Sequence, residues 1–132
     1  MTNTLTIRLG ERERTRQESR ERIAAAQRGE SVDERHVLNI EHEYDIARVL
    51  SEANIELLRT IAAHEPKSMR ETATLVERDF KDVHRNLTEL ADLGIIEFVQ
   101  DGQAKRPVVR FDELIVDIDL PSGQGDNVHA VA

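Results

Sequence analysis

Cysteine and tryptophan are absent from the 132 residues, and the only aromatic side chains are Tyr44, Phe80, Phe98 and Phe111. Without cysteine there is no disulfide, no thiolate zinc site and no cysteine nucleophile, and the redox compartment is left open. With so few rings the core must be aliphatic. No run of about 18 apolar residues occurs, and the opening residues MTNTLTIRLG lack the apolar stretch of a signal peptide. The expectation is a cytoplasmic, soluble protein with no membrane partner, of a length that suits one compact domain with an appended arm.

Charge is plentiful but uneven. The chain carries 18 Lys+Arg against 26 Asp+Glu, a formal net charge of −8, which argues against a general polyanion binder. Residues 1–65 hold 10 basic and 13 acidic groups, residues 66–110 hold 8 of each, and residues 111–132 hold 0 and 5, so the centre is neutral and the acidic excess is greatest at the end. Arginine outnumbers lysine by 15 to 3. That ratio with the acidic excess fits a GC-rich genome and a halophilic, salt-adapted proteome.

Along the chain, TLTIRL (residues 4–9) alternates polar and apolar and reads as a strand with Leu5, Ile7 and Leu9 on one face. Glu11 to Arg28 reads as a Glu/Arg-rich helix closed by Gly29, a marginal one held by spacings such as Glu18–Arg22. Residues 30–36 read as a loop, Val37 to Ile40 as a short extended piece and Glu43 to Leu50 as a helix. From Glu52, the residues Ile55, Leu57, Leu58, Ile61 and Ala62 make a broad apolar helical stripe that Pro66 ends.

The stretch that follows is the most informative. Ser68-Met69-Arg70-Glu71 is a capping-box pattern, in which the serine hydroxyl accepts from the third amide and Glu71 reaches back to the cap amide. It opens a short helix to about Val76. After Glu77-Arg78, Asp79 is the expected N-cap of a further helix with Phe80, Val83, Leu87 and Leu90 inward and Gly94 in the left-handed turn behind it. Ile95 to Gln100, the hairpin signal Asp101-Gly102 and a return from Ala104 to Phe111 make a β-ribbon, with Pro107 suited to an edge strand. Leu114, Val116, Ile118 and Leu120 read as a last strand, and residues 121–132 as a disordered tail.

Helix, short capped helix, third helix and hairpin in that order constitute the pattern of a winged helix-turn-helix domain. The fold class expected is α+β: this domain over residues 37–120, an N-terminal strand and helix over 1–36 as an arm for dimerisation or partner binding, and extra terminal strands. On a helical wheel Lys81, Arg85, Thr88 and Asp92 lie opposite the apolar face, flanked by His84 and Glu89. Donors thus gather in the N-terminal half, the part of such a helix that enters the major groove. Lys81, His84, Arg85 and Thr88 are the candidate base-reading residues; the bland alternative is an ordinary solvated face. Lys105, Arg106 and Arg110, after the hairpin turn, are candidate phosphate contacts, with edge-strand protection by charge as the alternative, strongest for Arg110. Ser68 and Arg70 could donate to phosphate from the start of the second helix, although for Ser68 the cap role is the stronger.

The segments LTIRLG, ELLRTIAAHEP, SMRETATLV, DFKDVHRNLTELADLGIIEF and KRPVVRFDEL resemble those of MarR/ArsR-like winged-helix transcriptional regulators, and most closely a family of predicted haloarchaeal regulators. The resemblance spans roughly residues 4–120 and is strongest from Leu57 to Phe111. It implies sequence-specific binding to double-stranded DNA as a homodimer and regulation of transcription. It also implies, for some small regulators of this sort, an antitoxin role.

Catalysis has little support, and the expectation is no enzyme, no cofactor and no metal. The cluster EHEYD (residues 41–45) around His42 is the one dense group of acids and imidazole, and an acidic helix start explains it better than a metal site. The competing reading is a protein-interaction module on the same scaffold, an antitoxin-like partner binder. It would use Arg12, Arg16 and Arg20 on one face of the N-terminal helix or the terminal strands, which are expected to pair into a sheet that helps form the dimer.

Overall fold

The computed structural model describes residues 3–10, 12–30 and 36–120. The tail 121–132 and most of the loop expected at 30–36 lie outside the described residues. Strand β1 (Thr4–Leu9) is the middle of a three-stranded sheet, flanked by β2 (His36–Ile40) and β5 (Glu113–Asp117), both parallel to it. Helix α1 (Arg12–Gln27) makes the crossover from β1 to β2 that a parallel pair requires. Register places Leu38 and Val116 beside Ile7, and Leu114 beside Leu5, so these apolar residues share one face, while Val37 and Ile115 flank Thr6 on the other. The terminal strands therefore pair within one chain. Leu5 and Ile7 join the same core cluster as Ile46, Leu57 and Leu87, so β1 is an integral strand of this body and not an arm separate from residues 37–120.

The other face of the sheet carries the residue that the sequence reading missed. Arg8 points away from the apolar face and is still only 4% exposed, because α1 lies over it. Its Nε donates to Asp117 Oδ2 on β5 at 3.1 Å, and one terminal nitrogen donates to Glu18 Oε1 at 3.1 Å and Thr15 Oγ1 at 3.0 Å on α1. Thr15 also meets Asn39 Oδ1 of β2 at 3.2 Å. Glu18 thus serves a tertiary ion pair, in place of the Glu18–Arg22 spacing expected to hold an isolated helix. Behind α1, Gly29 at φ +83° sends its amide to Ala26 O and Glu30 sends its amide to Ala25 O, each at 3.0 Å, closing the helix end with two bonds.

On the apolar face sit α2 (Glu43–Val49), α3 (Glu52–His64), α4 (Met69–Val76) and α5 (Phe80–Asp92). The α2–α3 corner is fixed by buried Asn54, whose Nδ2 donates to Val49 O at 2.9 Å while its amide donates to the capping Ser51 Oγ at 3.2 Å. At the end of α3, Glu65 takes the left-handed region at φ +46° and its amide still reaches Ile61 O at 3.0 Å before buried Pro66. The link from α4 to α5 likewise turns on a left-handed residue, Glu77 at φ +55°. The inward face of α5 is as expected for Val83, Leu87 and Leu90, all fully buried, with Phe80 half-buried.

Gly94, at φ +82°, donates to Ala91 O at 3.0 Å and Ile95 to Leu90 O at 2.9 Å, which folds Ile95 back over Leu90. Ile95 and Ile96, expected in the first ribbon strand, are instead buried core residues ahead of it. The ribbon itself is β3 (Glu97–Asp101) and β4 (Ala104–Val108), antiparallel, with Phe98 opposite Pro107. Because Asp101 pairs with Ala104, the turn residues are Gly102 and Gln103, one position later than the expected Asp101-Gly102. Only Gly102 has positive φ, +66°, which is the sign pattern of a type II′ turn with glycine first. The last strand ends at Asp117, leaving Ile118 and Leu120 beyond it, 45% and 88% exposed. Among the described residues no helix is long and apolar enough to cross a membrane.

Removing one partner of a buried ion pair leaves the other charge uncompensated and costs about 3–5 kcal/mol. Arg8→Ala is therefore expected to lower unfolding free energy by that order in urea denaturation. Arg8→Met, which fills the space, is expected to lose less; an Arg8→Ala protein as stable as the parent would remove the ion pair from this account.

Candidate nucleic-acid interface

Helix α4 begins at a true cap. Ser68 Oγ accepts from the Glu71 amide at 2.9 Å, while the Glu71 carboxylate accepts from the Lys67 amide at 2.9 Å. The reciprocal bond therefore lands one residue earlier than the cap amide that the pattern led us to expect. The Ser68 carbonyl is also occupied, taking the Thr72 hydroxyl at 2.8 Å. At α5 the cap position is Asp79 as expected, but its side chain makes no capping hydrogen bond. The link is held from another side: Arg78 donates from one terminal nitrogen to Asn86 Oδ1 at 2.7 Å, binding the turn to the first half of α5.

The exposed side of α5 presents Lys81, His84 and Arg85 to solvent, with Thr88 half-buried. Lys81 has no ion-pair partner among the described residues. Arg85 is 72% exposed and donates to Asp82 Oδ1 at 3.2 Å, a pair of the kind worth about 0–1 kcal/mol in water. Toward the exit of the helix the acids are partly neutralised, since Glu89 pairs with Arg48 of α2.

Phe80 organises the corner between α4 and α5. The Arg70 guanidinium lies over its ring, 4.3 Å from the centroid, and the His84 ring stands 5.7 Å from it on the next turn of α5. A cation on an aromatic face gains about 0.5–1 kcal/mol at an exposed site and keeps its donors turned outward. The sequence placed Phe80 only on the inward face. Its spacing to His84 was the available signal; the partnership with Arg70, on another helix, had none.

On the hairpin, Lys105 is exposed and Arg106 half-buried. They are consecutive strand residues, so their side chains leave opposite faces of the ribbon and cannot rest on one surface together. Arg110 is engaged elsewhere, its Nε donating to Glu97 Oε2 at 2.8 Å. The return strand packs against α3 and α4, which brings the base of the hairpin to the same side as the capped helix.

Other candidates fare as follows. Of the three arginines expected on one face of α1, Arg16 and Arg20 both turn to Glu13, at 3.5 and 3.2 Å, and the Arg12 side chain lies outside the described residues. In EHEYD, His42 precedes α2 without making a side-chain cap bond and its ring lies 6.4 Å from that of Tyr44. Among the described residues no group of three or more His, Asp or Glu side chains is placed to hold a metal ion.

One protein-family model, HVO_A0114, matches residues 49–116, just over half of the chain, from the last residue of α2 through nearly all of β5. No curated protein and no solved structure matches.

The cap geometry gives a direct test of Ser68. Loss of a serine N-cap costs about 1 kcal/mol, so Ser68→Ala is expected to lower stability by that amount in chemical denaturation. Unchanged stability would show that the hydroxyl does not serve α4 in solution.

Proposed function

The chain belongs to the HVO_A0114 family, and we propose that it is a sequence-specific, DNA-binding transcriptional regulator of MarR/ArsR-like, winged helix-turn-helix type, acting as a homodimer in the cytoplasm. The observation that carries this reading is the run α3, capped α4, left-handed link, α5 and hairpin, in which α5 buries Val83, Leu87 and Leu90 and turns Lys81, His84 and Arg85 outward. A helix anchored by three consecutive turns of apolar contact and carrying donors in its N-terminal half is the element that can be laid in a major groove.

In this reading Lys81 and Arg85 read base edges, with His84 and Thr88 beside them. Arg85 exchanges the weak Asp82 contact for the O6 and N7 acceptors of a guanine. Arg70, supported on Phe80, and Lys105 or Arg106 at the hairpin meet phosphates and set the register. Arg110 shares an exposed pair with Glu97, as weak as that of Arg85, and can exchange it for a phosphate in the same way. A two-fold dimer would present two copies of α5 to half-sites about one helical turn apart. The acidic net charge is tolerable if the working salt is near molar: the Debye length is then about 3 Å, so close contacts carry the affinity and long-range attraction contributes little.

A second reading rests on a different observation. Among the described residues the outer edge of β5 is unpaired in its sheet, and Ile115, Val116, Ile118 and Leu120 on and beyond it are 43–88% exposed, a surface suited to an added strand from a protein partner.

Selection of bound fragments from a random DNA library, at 0.15 M and at near-molar salt, separates the two. DNA reading is expected to yield a palindromic motif, with Arg85→Ala costing about 1–3 kcal/mol on it and relaxing one base position. One of Lys105→Ala and Arg106→Ala, whichever residue faces the DNA, is expected to weaken all sequences alike, and the other to leave binding unchanged. No enriched motif at either salt from folded protein would overturn the DNA reading and favour the partner-binding edge.

A further inference from the structure

A cavity of about 400 Å³ lies between α3 and the chain that leaves the hairpin. Ile55, Leu58 and Ala62 of α3 line it together with Ile95, Val109, Phe111 and Leu114. Its size falls in the range of small-molecule sites, about 300–1,000 Å³, which are typically apolar with a few charged or polar groups that fix orientation. All but one of its apolar residues are aliphatic, and Phe111 is already in edge contact with His36, the ring centroids 5.2 Å apart. The lining therefore suits an aliphatic body.

The polar part of the lining narrows the ligand further. Arg59, Asp112 and Glu113 border the same cavity. Asp112 uses one carboxylate oxygen to accept from the Asn3 amide at 3.1 Å, and Glu113 uses one to accept from Thr4 Oγ1 at 3.2 Å, so each has a second oxygen with no hydrogen bond among the described residues. Arg59 is exposed and has no hydrogen bond or ion pair among the described residues; in particular it does not close onto either acid. Opposite charges thus border one aliphatic cavity without meeting each other. A simple carboxylate would satisfy Arg59 and be repelled by the acids, and a simple amine would do the reverse.

We propose that this cavity binds a free aliphatic α-amino acid, its carboxylate on Arg59, its ammonium on Asp112 or Glu113 and its side chain against Ile55, Ala62 and Ile95. The zwitterion offers one charge to each side of the lining. Binding here does not depend on DNA. It does touch Ile95 and Val109, the residues on either side of the hairpin, so an occupant bears on the place where the ribbon joins the core.

The test is a titration of the full-length, ¹⁵N-labelled chain with L-leucine, followed by amide chemical shifts. Two single-charge analogues are run beside it: 4-methylpentanoate, which lacks the ammonium, and 3-methylbutylamine, which lacks the carboxylate. Saturable shifts at Ile55, Ala62, Ile95 and Phe111 are expected for leucine, with each analogue at least about tenfold weaker, the order expected for losing one charged hydrogen bond. Arg59→Gln is expected to erase the advantage of leucine over the amine, and Glu113→Gln with Asp112→Asn its advantage over the acid. Ala62→Phe, which fills the space from an exposed helix position, is expected to abolish the shifts while leaving the spectrum folded. Equal binding of all three compounds, tighter binding of one analogue, shifts confined to another surface, or none at millimolar leucine would each overturn the proposal. None of those outcomes bears on DNA binding, which the library selection tests separately.

Discussion

A single guanidinium holds the molecule in its arrangement. Arg8 sits in the middle strand of a parallel sheet, on the face away from the main core, and reaches two elements at once: Glu18 and Thr15 on α1, and Asp117 on β5. Moving an arginine out of water costs several kcal/mol, which its contacts offset only when both charge and hydrogen-bond geometry are satisfied. Three acceptors around one buried group meet that condition. The geometry therefore admits little adjustment, and the position of α1 over the sheet follows from it. Among the described residues of α1, which are mostly Glu, Arg and Gln, the one large apolar side chain, Ile23, is 59% exposed. Its place is specified by polar contacts, where α3 and α5 are placed by burial.

The cations of the chain divide in the same way. Arg8, Arg48 and Arg110 pair with acids from other elements and hold the fold or the hairpin base together. Lys81, Arg70 and Lys105 have no such partner among the described residues and lie on α5, α4 and the ribbon, in a stretch (66–110) whose 8 basic and 8 acidic groups balance within a chain of net charge −8. Whole-chain charge is a poor guide to what a surface can bind when some positive groups already pair with acids and others do not. Cavity and helix face are likewise distinct resources, α3 supplying Arg59 to one and α5 supplying Lys81 to the other.

Local periodicity made much of this legible in advance. The apolar stripes of α3 and α5, the Ser68 cap and the glycine at the end of α5 are all encoded within a few residues, and the structure places them where those patterns indicate; the hairpin forms too, with its strands starting at Glu97 and stopping at Val108, later and earlier than expected. The misses share a cause. The terminal strands pair, as their alternation leads one to expect, but that both neighbours of β1 run parallel to it and that Arg8 lies under a helix cannot be read from any window of local sequence. The smaller errors are errors of one position: Glu71 closing on Lys67, and the turn at Gly102-Gln103. There the residue types are right, and the backbone settles which neighbour receives the bond. Arg70 over Phe80 belongs with the long-range class, being a contact between two helices whose crossing the sequence does not state.

The middle position of β1 has a consequence for how the chain is made. Synthesis delivers β1 first, and β2 with α1 can close one side of it early through the short crossover. The other side stays open until Glu113–Asp117 emerges, the last strand of the described chain. Through that interval α2 to α5 can assemble from neighbouring contacts, whereas Arg8 waits for half of its acid partners. Contacts that join residues so far apart in sequence are the slow ones in folding. The nascent protein should thus pass through a stage in which the helical half is formed and the sheet has a bare parallel edge beside a charge not yet fully compensated, a state vulnerable to capture by any extended segment that reaches it first.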